Sequence, residues 1–263
     1  MFNELYGEML GSKDPCLILH GGPGLGFSYL RPGMDPLAKR YTCIFYDQRG
    51  AGRSAPLLSS SLSPLDQYIE DIEMIRTLLD LNKFTLLAHS WGGFLAAAYA
   101  AKYPEYLSKM ILISSVPLSY DDYQAYRKVR AKAVQASTKP VDDSNPKAVS
   151  NYYKNLFTPY FFNSRNADKL DMSMTKEAAK QSFSTYALFI DRVMSRPFNY
   201  NNVLKQLHLP TVIIHGKQDL VPIVYAQDLA NTISNAAFYP LDQCGHFPYL
   251  EQGEKFFEIL NKK

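Results

Sequence analysis

Three residue types that together make a hydroxyl reactive occur in this chain in loop-like settings: Ser90, Asp219 and His246. A serine hydroxyl is a weak nucleophile at neutral pH. It needs an imidazole to take its proton, and that imidazole needs a carboxylate to fix its tautomer and stabilise its cation. Ser90 lies in Phe-Thr-Leu-Leu-Ala-His-Ser-Trp-Gly-Gly (84–93), where an apolar run suited to a buried strand stops at the hydroxyl and an alanine-rich helical pattern begins. So tight a strand-to-helix turn needs small residues two before and two after the serine, and Ala88 and Gly92 hold those places. A plain N-cap serine is the competing reading of the same residues.

Apolar, β-prone runs at 16–19, 41–46, 85–88, 109–114, 211–215 and 236–240 read as strands, with a short edge strand at 5–10. Apolar residues recur every three or four positions at 67–81, and helical patterns follow at 94–103, 224–233 and 254–260. Strand alternating with helix implies a mostly parallel sheet with right-handed crossovers. The alternation breaks at 117–204, which holds many tyrosines and phenylalanines, helical stretches near 122–136, 145–156 and 176–194, and no strand pattern. The expected organisation is an α/β core of residues 1–116 and 205–263 carrying an inserted helical cap, 117–204. Its aromatics, among them Tyr123, Tyr126, Tyr152, Tyr153, Phe157, Tyr160, Phe161, Phe162, Phe183, Tyr186 and Phe189, serve mainly as packing, with about a third of them lining a pocket.

In an open parallel sheet the loops at the strands' carboxyl ends converge on one crevice. The glycine-rich turn His20-Gly-Gly-Pro-Gly24, Ser90, Asp219 and His246 all follow strands in that way. Asp228 and Asp242 compete as the acid, but the first falls within a helix pattern and the second three residues before Gly245. Among the other histidines, His20 and His89 are needed by turn geometry, His215 ends a strand and His208 precedes one. The turn at 20–24 is not a dinucleotide fingerprint, because Phe27 stands where the last glycine is required. Asp47 and Arg49, close together in a second glycine-rich turn, read as a pair that fixes loop shape.

With 263 residues and a formal charge of +3 without a basic block, the chain carries no electrostatic footprint for nucleic acid. Cys16, Cys43 and Cys244 have no metal-ligand spacing and no even count for a disulfide framework, which favours a reduced, cytoplasmic setting. Cys244 reads as a packed thiol. Residues 1–10 lack the basic start and apolar run of a signal peptide. No apolar run approaches the ~18 residues needed to cross a bilayer.

Five motifs as a set, HGGPG at His20, DQRGAGRS at Asp47, HSWGG at His89, GKQDLVP at Gly216 and CGHFPYLE at Cys244, resemble the α/β-hydrolase superfamily. The first two together most resemble the proline iminopeptidase family, with Ala88 in place of a glycine. The resemblance implies a doubly wound sheet of the α/β-hydrolase type and hydrolysis through an acyl-enzyme, with no metal and no cofactor. It also implies an oxyanion hole formed by the backbone N–H groups of Gly22 and Trp91. The substrate would be a small molecule or short peptide, with an N-terminal proline as the family's example. Members that release proline hold its ammonium with cap carboxylates, for which the cap here offers one glutamate, Glu177, and aspartates including Asp142, Asp143, Asp168, Asp171 and Asp191, which serve equally well as surface charges. A carboxylesterase or carbon–carbon bond hydrolase, and a non-catalytic ligand receptor on the same fold, are the other readings.

Overall fold

Strands form where the apolar runs are, and seven of them pair into one sheet in a computed structural model that describes residues 2–57, 63–135 and 141–262. Of the core and cap spans read from sequence, residues 1, 58–62, 136–140 and 263 lie outside those residues. The strands are β1 (Gly7–Leu10), β2 (Asp14–Leu19), β3 (Tyr41–Tyr46), β4 (Phe84–His89), β5 (Leu107–Ile113), β6 (Thr211–Gly216) and β7 (Ala236–Leu241), in the spatial order β1-β3-β2-β4-β5-β6-β7. β1 runs antiparallel to β3 at the edge and every other pairing is parallel.

The helices in chain order are α1 (Pro64–Leu78), α2 (Trp91–Lys102), α3 (Tyr120–Val134), α4 (Pro146–Phe157), α5 (Lys176–Phe189), α6 (Asn201–Leu204), α7 (Ile223–Thr232), α8 (Pro248–Glu251) and α9 (Gly253–Asn261). α1 begins three residues before its apolar period, because Pro64 suits a first helical position and the Ser63 side chain accepts from Asp66 N–H. α3 to α6 occupy the insertion between β5 and β6, which contains no strand among the described residues. β4 is buried along its whole length, and fully buried leucines such as Leu86 and Leu87 each contribute about 1.5–3 kcal/mol.

The order of strands places the site. From β2 the chain builds β3 on one side of it, then crosses to build β4 to β7 on the other, so the direction of winding switches between β2 and β4. At such a switch the two carboxyl-end loops diverge around a crevice. Here they are the turn after Leu19 and the turn at Ser90.

Asp47 and Arg49 do hold the second glycine-rich turn, but not by pairing with each other. Asp47 accepts from the backbone N–H of Phe27 and Arg53, both at 2.9 Å. Arg49 instead reaches Asp71 on α1 at 2.8 Å and Glu4 at 2.9 Å. The Arg49 and Asp71 side chains are each only 6 % exposed. An uncompensated charge at such depth costs about 3–5 kcal/mol, which makes the bidentate pairing a firm tie between the turn and α1.

Candidate active site

Ser90 stands between β4 and α2 with φ 57° and ψ −121°, a conformation that L-residues avoid. Its side chain makes no capping bond to α2, so the N-cap reading fails on geometry. The N–H of Ser90 is anchored to Ile113 O at 2.9 Å, and its carbonyl accepts from Gly93 N–H at 2.9 Å. A Cβ on Gly92 would lie 2.6 Å from Leu19 O, inside contact distance, so α2 approaches β2 too closely for any side chain there. Ala88 is different: it is an ordinary, fully buried strand residue in register with Leu19 and Leu112, and its methyl is accommodated. Strain of this kind is worth ~1–3 kcal/mol and glycine relieves it, against ~0.5–1 kcal/mol of extra chain entropy. Ser90→Gly is therefore expected to be about 1 kcal/mol more stable than Ser90→Ala. Urea midpoints for the two variants test this, and a glycine midpoint at or below that of alanine would contradict it.

The Ser90 hydroxyl meets His246 Nε2 at 2.8 Å, and His246 Nδ1 meets Asp219 Oδ2 at 2.8 Å. Asp219 turns its other oxygen to the N–H of Val221 at 2.9 Å. The competing acids are elsewhere: Asp228 is exposed, and Asp242 pairs with Lys217 at 2.8 Å. Burial pushes the Asp219 carboxyl up to about 7, opposed by His215 and by backbone N–H donors. Burial also pushes the His246 imidazole down, to about 3, with the positive charge of Arg130 acting in the same direction. Both shifts favour the uncharged form of a group that has lost water.

The remaining histidines build the walls. His20 donates from Nδ1 to Gly21 O and accepts at Nε2 from Gln48 N–H, both at 2.9 Å. Gly21 N–H donates to Tyr29 Oη at 2.6 Å, the Tyr29 hydroxyl donates to His89 Nδ1 at 2.8 Å, and His89 Nε2 donates to His246 O at 2.8 Å. That chain ties the glycine turn to the loop of His246. His215 donates from Nε2 to Val221 O at 2.8 Å, 3.5 Å from Asp219 Oδ2. Cys244 is buried, and burial pushes its thiol up, away from the thiolate a nucleophile needs. No group of three His, Cys, Asp or Glu side chains among the described residues is placed to hold a metal ion.

A cavity of about 80 Å³ opens on Ser90, which is half-buried where its β4 neighbours are fully covered. Gly22 and Trp91 line it, and so do six of the eleven cap aromatics singled out from sequence: Tyr123, Tyr126, Tyr153, Phe157, Tyr160 and Tyr186. Gly22 reaches its place at φ +63°, which its lack of a Cβ permits. The insertion also holds His246 in position, since His246 N–H donates to Tyr160 O at 2.8 Å and the rings of Tyr160 and His246 lie 4.9 Å apart. Arg127 and Arg130 line the same cavity, and neither was singled out by sequence reasoning. The signal was present: Tyr123, Tyr126, Arg127 and Arg130 follow the i, i+3, i+4, i+7 spacing of one helix face. The cap acids Glu177, Asp142, Asp143, Asp168, Asp171 and Asp191 are all exposed, and none lines this cavity. A larger cleft of about 390 Å³, between Gly24–Gly26, Arg53 and residues 171–175, touches none of Ser90, His246 or Asp219.

The family profile described as alpha/beta hydrolase fold matches residues 14–252. A proline iminopeptidase of Clostridium botulinum is 27% identical over 273 residues, covering 99% of this chain and 93% of its own. Among solved structures, a meta-cleavage product hydrolase of Pseudomonas fluorescens IP01 superposes with a TM-score of 0.75 at 23% identity, over 97% of this chain and 92% of that one. A thermophilic esterase of Thermogutta terrifontis gives 0.73 at 22% identity, over 97% and 91%. No helix among the described residues is long and apolar enough to cross a membrane. With a profile match running from β2 to α8 across a sheet wound in this order, the chain belongs to the α/β-hydrolase fold family.

Proposed function

We propose that this chain is a serine hydrolase working through an acyl-enzyme, with Ser90 as nucleophile, His246 as general base and then acid, and Asp219 as the carboxylate that orients it. The unbroken run of 2.8 Å contacts from Ser90 Oγ through His246 to Asp219 carries this reading. Ser90 Oγ adds to the acyl carbon while its proton passes to His246 Nε2. Collapse of the adduct expels the leaving group, which takes that proton. Water then adds to the acyl carbon, gives a proton to His246, and releases the acid as Ser90 recovers its hydrogen. The backbone N–H groups of Gly22 and Trp91 are the donors for the oxyanion, that of Trp91 being free of an i−4 partner in the first turn of its helix. Residues 117–204 serve as the cap that closes the acyl pocket.

The lining of the pocket favours esterase chemistry on a small acyl group. A bound ammonium would have to lose water without a carboxylate to replace it, and the charged side chains around the cavity are both arginines. The release of an N-terminal proline is the second reading, supported by relatives named proline iminopeptidase at 23–28% identity over nearly the whole chain. Assays on nitrophenyl butyrate, proline arylamide and N-acetylproline arylamide separate the two. The expected result is rapid butyrate hydrolysis, labelling of Ser90 by a fluorophosphonate and no turnover of the free proline arylamide. Cleavage of that arylamide, lost on acetylation, would replace the esterase reading by the aminopeptidase one. An absence of both labelling and turnover would leave a ligand receptor.

A further inference from the structure

We propose that Arg130 forms an anion subsite in the acyl pocket, so that the preferred substrate carries a carboxylate a few carbons from its scissile carbonyl. This rests on the serine-hydrolase reading of the same pocket and names the class of acyl group it takes. Arg130 lies on the α3 face that lines the cavity with Ser90. Its Nε donates to Tyr160 Oη at 2.8 Å and its Nη1 to Tyr186 Oη at 3.4 Å. Both acceptors are tyrosine hydroxyls and not carboxylates. No carboxylate among the described residues pairs with Arg130, in contrast to Arg49, whose buried guanidinium is met by Asp71 and Glu4.

Arg130 is half-buried; a guanidinium keeps its charge in any protein setting, and even part-burial without a counter-ion is unfavourable. The tyrosines fix its orientation and leave N–H groups for an incoming acceptor. A planar fork suits a carboxylate, and about 80 Å³ suits a short chain, given that one water needs ~10–15 Å³. Arg127, one turn earlier and exposed, adds a second positive charge to the rim.

The placement bears on the chemistry as well as on binding. Tyr160 lies between Arg130 and the His246 ring, and the cation disfavours the imidazolium that His246 must become. A carboxylate seated on Arg130 cancels that field. Anionic acyl groups thus gain in kcat as well as in KM.

The test compares mono-nitrophenyl glutarate with nitrophenyl butyrate, each rate normalised to sites titrated with a fluorophosphonate. The glutarate monoester is expected to have the higher kcat/KM. Arg130→Gln should lower its kcat/KM by about 10–100-fold, the value of a charge-assisted hydrogen bond, and bring the ratio of the two esters toward one, with Arg130→Lys between. Free glutarate, and not glutaramide, should bind to Ser90→Ala in a calorimetric titration, which needs neither turnover nor a variant at 130. Equal treatment of the two esters by the parent enzyme, together with no glutarate binding, would overturn the subsite. Glutarate binding with no labelling and no ester turnover would leave the subsite standing and reject the hydrolase reading instead.

Discussion

Ser90→Ala is expected to lower turnover on the order of 10⁶-fold, the scale on which a serine-protease nucleophile is lost. No other residue lining the cavity combines a hydroxyl with an imidazole at 2.8 Å. Tyr126, Tyr160 and Tyr186 there are hydrogen-bonded to one another or to Arg130, and the thiol of Cys244, two residues before His246, is buried. The fold has little stake in the hydroxyl, whose one hydrogen bond is the contact to His246. The variant should therefore melt near the parent while losing fluorophosphonate labelling altogether. Retention of more than a tenth of parental turnover would show that the nucleophile lies elsewhere.

Asp219→Asn is expected to cost on the order of 10⁴-fold in kcat, because an amide facing Nδ1 permits the tautomer in which Nε2 can no longer accept the serine proton. The same residue governs the pH profile. A pair holding one extra proton is inactive whichever group carries it: a protonated Asp219 donates to Nδ1, and a protonated His246 has no lone pair for Ser90. Activity should thus rise with pH and level off above the pair's apparent pKa, near the value of about 7 to which burial pushes Asp219. With asparagine the carboxyl no longer titrates, and the acid limb moves down toward that of His246, which burial pushes in the opposite direction. Steady-state kcat/KM from pH 4 to 9 reads both effects. An asparagine variant with an unmoved limb and less than tenfold loss would take the orienting role away from Asp219.

The sheet and the three site loops were legible in the sequence because each depends on local pattern: apolar runs, small residues at a turn, and chain order. What spans the fold was not. Tyr29 joins the N–H of Gly21 to His89 across 60 residues of chain, and nothing near position 29 announces it. Asp47 and Arg49, two residues apart, suggested a pair, yet one takes backbone donors and the other two distant carboxylates. The α3 stripe was readable as a helix face, but which way that face points depends on how the insertion folds over the sheet, as does the contact of Arg130 with tyrosines. Helix ends did not follow the apolar period: α1 starts where Ser63 caps it and Pro64 opens it, and α5 gives way to a wider turn at Ile190–Met194 within one apolar pattern.

The backbone at residue 90 also bears on how this chain can change over generations. Folding alone has no use for a serine at φ 57°, and glycine fits that geometry better. One mutational step of this kind gains stability and abolishes the hydroxyl, so it is open to any lineage in which the reaction no longer matters. A copy of this gene freed from catalysis has a downhill path away from serine at this position, and the strained serine marks a chain that has not taken it.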